Sequence, residues 1–208
     1  MQGVKWLFFD VGSTLVDESD VYRMRFQGIA DQAGVSIEEV MEKAFAYYRK
    51  GEKGDKETAA YYDVGLPQWD TSLEKAFPDA AECLENLSKR YKIGVIANQI
   101  IGTAERLEGY GLLKFIDVVV ASAEEGVAKP DRRIFEIALE RSRCSAENAV
   151  MIGDRMDNDI IPAHDIGMKT VLIKQGFAKK DESSYHISPD HIVNSLTELT
   201  KIFLSQEE

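Results

Sequence analysis

The chain has 208 residues, 44% hydrophobic and 29% charged, the composition of an ordinary soluble globular protein long enough to bury a core. Its formal charge of -11 argues against binding the phosphate backbone of nucleic acid or adsorbing to anionic lipid, since both need clustered Lys and Arg. No apolar stretch approaches the roughly 20 residues of a membrane helix.

In chain order, the first element is the apolar run VKWLFF (4–9), which reads as a strand delivering Asp10 into a Gly-Ser-Thr turn. Its apolar part is too short for a secretory signal, and the carboxylate interrupts it at once. Residues 18–78 show no convincing strand. VYRMRFQGIADQAG and SIEEVMEKAFAYYRK read as helices, the second opened by Ser36 and Glu39 at capping-box spacing. GEKGDKE (51–57) reads as a charged turn. Tyr61, Tyr62 and Trp69 follow, as pocket lining or as internal packing.

From residue 80 onward, helix and strand alternate. AAECLENLSKR (80–90) is a helix, KIGVIA (92–97) a strand, and TAERLEGY (103–110) a helix. DVVVAS (117–122) is a strand and RRIFEIALERS (132–142) a helix started by Asp131. AVMIG (149–153) is a strand, DIIPAHDIG (159–167) a helix stopped by Gly167, and TVLI (170–173) a strand. The tail SLTELTKIFLSQEE closes as an amphipathic helix that frays into charges. The strands lack period-2 alternation, which suits burial on both faces, so the fold class is α/β with a doubly wound parallel sheet. The domain reading is a core of residues 1–17 and 79–208, with 18–78 as a small helical insertion. Cys83 and Cys144 have no CxxC spacing and read as free thiols, consistent with a reducing cytoplasm.

In open parallel sheets, ligands bind beyond the carboxyl ends of the strands. Those ends here carry Asp10, then Ala97-Asn98-Gln99, then Lys129-Pro130-Asp131, then Asp154 and Asp159. Several carboxylates and one lysine at one edge can hold a hard cation through oxygen and pair its charge with a phosphate. A central carboxylate can also act as a nucleophile.

The segments FFDVGSTL, VIANQ, AKPDRRIFEIAL and MIGDRMDNDIIPAHDIGM, in this order, resemble the haloacid dehalogenase (HAD) superfamily, in its branch with a helical cap inserted after the first strand. The resemblance implies a Rossmann-like core, bound Mg2+, and hydrolysis of a small phosphorylated substrate through an aspartyl intermediate. It makes Asp10 the nucleophile and a metal ligand, and the Gly12 carbonyl a second ligand. Asp154 holds the metal, Asp159 supports that site, and Lys129 steadies the charges. Lys129, Asn98 and Ser13 are the candidate phosphate contacts.

Two positions depart from the family pattern. Gly12 stands where phosphatases of the family usually carry a second acid, whose loss removes general acid-base catalysis worth about 10²- to 10⁴-fold. Ala97 stands where Ser or Thr usually donates to the phosphoryl group, a contact worth on the order of 2 to 4 kcal/mol. Asp17 reads as a cap for the helix after it, and Arg23 and Arg25 either face a cleft or line a solvated helix. Three readings follow: a Mg2+-dependent phosphatase of weakened activity, a metal-independent 2-haloacid dehalogenase using one of those arginines, and a non-catalytic binder of a phosphorylated ligand or a protein. The sequence sets no oligomeric state.

Overall fold

The computed structural model describes residues 3–176 and 186–205. Of these, residues 3–16, 76–175 and 186–205 form one compact unit, and residues 17–75 with Gly176 form a second.

The first unit is built on a six-stranded parallel sheet. Its strands are β1 (Trp6–Phe9), β2 (Lys92–Ala97), β3 (Val118–Ala121), β4 (Ala149–Gly153), β5 (Lys169–Ile173) and β6 (His191–Val193). Their spatial order is β3-β2-β1-β4-β5-β6. All neighbours are parallel. The strand order reverses between β1 and β4, which places a crevice where those two strands end.

Successive side chains on a strand face opposite ways, and each face here has its own core. Leu7 and Phe9 join Ile93, Val95, Val150 and Ile152 on one face, under the helices Ala80–Ser88 and Leu196–Leu204. Phe8 joins Ile96, Val120 and Met151 on the other, under Ile134, Phe135 and Ala138 of the helix Arg132–Ser142. Leu7, Phe8 and Phe9 are all fully buried, each contributing roughly 1.5 to 3 kcal/mol of transfer free energy. That double burial is why the strands read as unbroken apolar runs. The helix Arg132–Ser142 is started by Asp131, whose carboxylate accepts from Arg133 N–H at 2.9 Å. Gly167 ends its helix with φ +89°, which non-glycine residues rarely adopt.

The structure corrects four local expectations. The stretch 18–78, read as without a strand, contains the two-residue strand Lys75–Ala76, too short to leave an apolar pattern. His191–Val193 is a sixth strand: only three residues long and partly exposed, it left too short an apolar run to register. The helix expected from residue 159 begins earlier, as a π-helical turn over Met156–Ile160, and becomes α-helical at Ile161–Asp165. GEKGDKE is a turn only in its first half, because a helix runs from Gly54 to Tyr61. The tail helix is present as Leu196–Leu204, capped by Ser195. Its last charges, 206–208, lie outside the described residues.

The second unit packs the helices Ser19–Ala33, Ile37–Arg49 and Gly54–Tyr61 around Phe26, Ile29, Val40, Ala44 and Tyr48. Asp17 accepts from Ser19 N–H at 2.9 Å at the start of this unit's first helix, one residue ahead of the N-cap position, which Glu18 occupies. Ser36 accepts from Glu39 N–H at 3.2 Å, but the Glu39 carboxylate instead accepts a hydrogen bond from the Tyr62 hydroxyl at 2.9 Å, so only half of the capping box forms.

Candidate active site

Four loops at the carboxyl edge of the sheet supply the site. Phe9 is level with Val95 on one side and Ile152 on the other, so β1, β2 and β4 end at the same edge. Asp10 N–H continues the ladder by donating to the Ile152 carbonyl at 2.9 Å. The chain then turns sharply, with Leu15 and Val16 N–H both donating to the Val11 carbonyl, at 2.8 and 2.9 Å. Ser13 sits in that turn with φ 57° and is buried, its N–H bonded to the Val16 carbonyl at 2.8 Å. Gln175, just past β5, donates to the Thr14 carbonyl at 2.6 Å and ties the turn down from another loop.

Lys129 is the hub. Its Nζ lies 2.7 Å from Asp10 Oδ1 and 2.6 Å from Asp159 Oδ1, and its side chain is 2% exposed. Asp159 is fully buried, and its Oδ2 accepts from Arg155 N–H at 3.0 Å. The π turn makes this possible. Both Asp159 and Ile160 N–H reach the Arg155 carbonyl, at 2.9 and 3.2 Å, a wide turn that folds the Asp159 side chain back over the end of β4. Gly153 is the space it occupies: a Cβ there would stand 2.4 Å from Asp159 Cγ.

Carboxylate oxygens of Asp10, Asp154 and Asp159 lie within 4.8 Å of one another. Three carboxylates against one ammonium leave two negative charges uncompensated among these four groups. Burial pushes Asp154 well above the usual carboxylate range, and the neighbouring Asp159 and Asp10 charges add to it. Burial raises Asp159 as well, to about 6, with Lys129 opposing and Asp10 adding. Burial alone would lower Lys129, but Asp10 and Asp159 more than offset it and raise its pKa. Burial and mutual repulsion thus both favour protons at this cluster, and a bound cation would offset the same excess of negative charge. An all-oxygen donor set of this charge fits a hard divalent ion such as Mg2+.

The four residues Asp10, Lys129, Asp154 and Asp159, expected together, are together. Gly12 lies in the turn, bridged to Val16. The Asn98 side chain reaches the Lys129 backbone. Its Oδ1 accepts Lys129 N–H at 2.7 Å and its Nδ2 donates to the Lys129 carbonyl at 2.8 Å. Ala97 is buried and contributes no donor. Arg25 is committed within the second unit: it pairs with Asp55 and stacks 4.9 Å from the Trp69 ring centre. Arg23 is exposed. Trp69 donates to Glu74 at 2.6 Å and packs edge-on to Tyr22, while Tyr61 is exposed beneath the Lys43 ammonium. Gly153, the Arg155 N–H and Gln175 were not singled out in sequence. Only Gly153, small at a strand end just before an acid, carried a signal.

Residues 126–199 match the HAD-hydrolase-like family. The chain is 30% identical to the glyceraldehyde 3-phosphate phosphatase of Methanothermobacter thermautotrophicus, over 96% of this chain and 95% of the relative. It is 32% identical to the ribulose-1,5-bisphosphate 5-phosphatase of Halopiger xanaduensis, over 67% of this chain and 62% of that one. The fold matches the crystal structure of a HAD phosphatase from Thermococcus onnurineus with a TM-score of 0.68 at 23% identity, covering 96% and 98% of the two chains. The chain therefore belongs to the haloacid dehalogenase superfamily of hydrolases, among relatives of the phosphatase type.

Proposed function

We propose that the chain is a Mg2+-dependent phosphatase of small phosphorylated metabolites, with Asp10 as nucleophile. The observation that carries this reading is the Lys129 ammonium held between Asp10 and Asp159 beside Asp154. Asp10, Asp154 and the Gly12 carbonyl would hold the metal, with Asp159 supporting them. Bound Mg2+ would supply charge neutralisation for phosphoryl oxygens. Lys129 fixes Asp10 Oδ1, and we assign Oδ2 as the attacking atom. The Asp10–phosphorus bond forms as the bond to the leaving oxygen breaks, giving an aspartyl phosphate. Water then attacks phosphorus, releasing inorganic phosphate and restoring the carboxylate.

Gly12 offers no proton to the leaving group and no base to the water, so both steps are slow and substrates with good leaving groups are favoured. Residues 18–78 act as the cap that selects the substrate. Free thiols at Cys83 and Cys144 fit a reducing compartment, which we assign as the cytoplasm. No helix among the described residues is long and apolar enough to cross a membrane.

The test is turnover of p-nitrophenyl phosphate, acetyl phosphate and glyceraldehyde 3-phosphate with Mg2+. Asp10→Asn should lower it by about 10³-fold or more. Gly12→Asp should raise it by roughly 10²- to 10⁴-fold. Silence from the wild type and from Gly12→Asp alike would sink the phosphatase reading and leave a phospholigand-binding protein.

A further inference from the structure

Lys129 has to present its ammonium to two carboxylates at once, yet it sits in an irregular loop. After the short helix Ser122–Glu125 the chain has no regular structure until Arg132. Within that loop, the Ala128 carbonyl accepts Asp131 N–H at 2.9 Å, which shapes the turn beyond Lys129 but does not bind Lys129's own peptide groups. Those groups go to Asn98, the first residue past β2. One planar side-chain amide takes the Lys129 N–H at 2.7 Å and gives its own N–H to the Lys129 carbonyl at 2.8 Å. This copies the two-bond exchange between paired residues of neighbouring strands, with a side chain in place of a strand.

We propose that Asn98 is a positioning residue: it clamps the Lys129 backbone to the end of β2 and so aims the ammonium at Asp10 and Asp159. Two bonds to one residue fix the peptide planes on both sides of its Cα. The rotation of the loop about the lysine is thereby set from the rigid sheet. The assignment differs from the phosphate-contact role that the sequence position suggested, because the amide oxygen and one of the two amide N–H bonds are engaged by the Lys129 backbone. It rests on the phosphatase reading for its catalytic consequence, but not for the clamp itself.

Two measurements separate these. The first is amide hydrogen exchange on the metal-free full chain, which needs no turnover. The Lys129 N–H should exchange slowly in wild type and at least about 10-fold faster in Asn98→Ala, while β2 amides are unchanged. Asn98→Asp keeps the acceptor and loses the donor, and should be intermediate. A Lys129 N–H equally protected in wild type and Asn98→Ala overturns the clamp, whether or not the protein is an enzyme.

The second is a double-mutant cycle with p-nitrophenyl phosphate and Mg2+. Asn98→Ala should lower kcat about 10-fold with KM little changed. In a Lys129→Met background the same change should do almost nothing, because the residue it aims is gone. A rise in KM with effects that multiply in the double variant would make Asn98 a direct phosphate ligand and overturn the positioning role. Absent turnover in both wild type and Gly12→Asp would defeat the phosphatase reading and leave the clamp untouched, since the exchange result decides it without turnover.

Discussion

Gly153 shows how closely the site is packed. A methyl group at this position would stand 2.4 Å from Asp159 Cγ and 2.6 Å from its Cβ, atoms that cannot swing aside because Asp159 is buried and bonded to Lys129 and Arg155. Gly153→Ala should therefore destabilise the fold by about 1 to 3 kcal/mol, as overpacking does, and displace Asp159 from Lys129. Urea unfolding of the variant checks the first effect, and weakened Mg2+ binding by calorimetry checks the second. The chemistry-bearing residues were legible because chemistry restricts residue type: Asp10, Lys129, Asp154 and Asp159 are acids and a base behind strands. Gly153 and Gln175 were not, since their roles depend on which atoms the fold brings alongside. Asn98 was legible in place, but its bonds to the Lys129 backbone were not, for an amide reads alike whether it faces a ligand or a backbone.

At the scale of elements, the strands and the longer helices were legible from apolar runs and caps. KIGVIA, AVMIG and RRIFEIALERS have their boundaries in the sequence as in the structure. The π turn at Met156–Ile160 escaped because α and π turns place apolar residues too similarly over five positions. The short edge strand His191–Val193 escaped because half of it faces solvent. Asp131 makes the cap of the helix that follows the Lys129 loop, so Asp131→Ala should lower stability by about 0.5 to 2 kcal/mol, with Asp131→Asn restoring most of it. Thermal unfolding of the three proteins measures this. Equal stability of wild type and Asp131→Ala would show that the cap contributes nothing net.

For the whole molecule, the crowded acids tie stability to pH and to metal. Asp159, raised from 3.8 to about 6, takes up a proton in the folded state before it does so unfolded. Its stabilising contribution is complete below the unfolded value and is lost as pH rises from about 4 to about 6. In EDTA, this group should make the protein about 1 kcal/mol more stable at pH 5 than at pH 7.5, a rise in Tm of a few degrees. Asp154, also raised, acts in the same direction. Asp20, Asp70, Glu140 and Glu198 are lowered and exposed, so their opposing effect lies below this range. Asp159→Asn should flatten the rise. Mg2+ at about 100 times its Kd should instead stabilise at pH 7.5, by about 2.7 kcal/mol. A Tm indifferent to both pH and Mg2+ would mean that the three carboxylates are not coupled.

The strand order has a consequence for biosynthesis. β1 is made first, yet both of its partners, β2 from residue 92 and β4 from residue 149, are made much later. At roughly 5 to 20 residues per second, the wholly apolar Leu7-Phe8-Phe9 must wait many seconds on the ribosome without a neighbour on either side. For that interval the centre of the future sheet is an exposed sticky segment. Such a delay is absent from a protein whose first strand pairs with its second as soon as both emerge, and it is the kind of interval in which unpaired apolar segments aggregate.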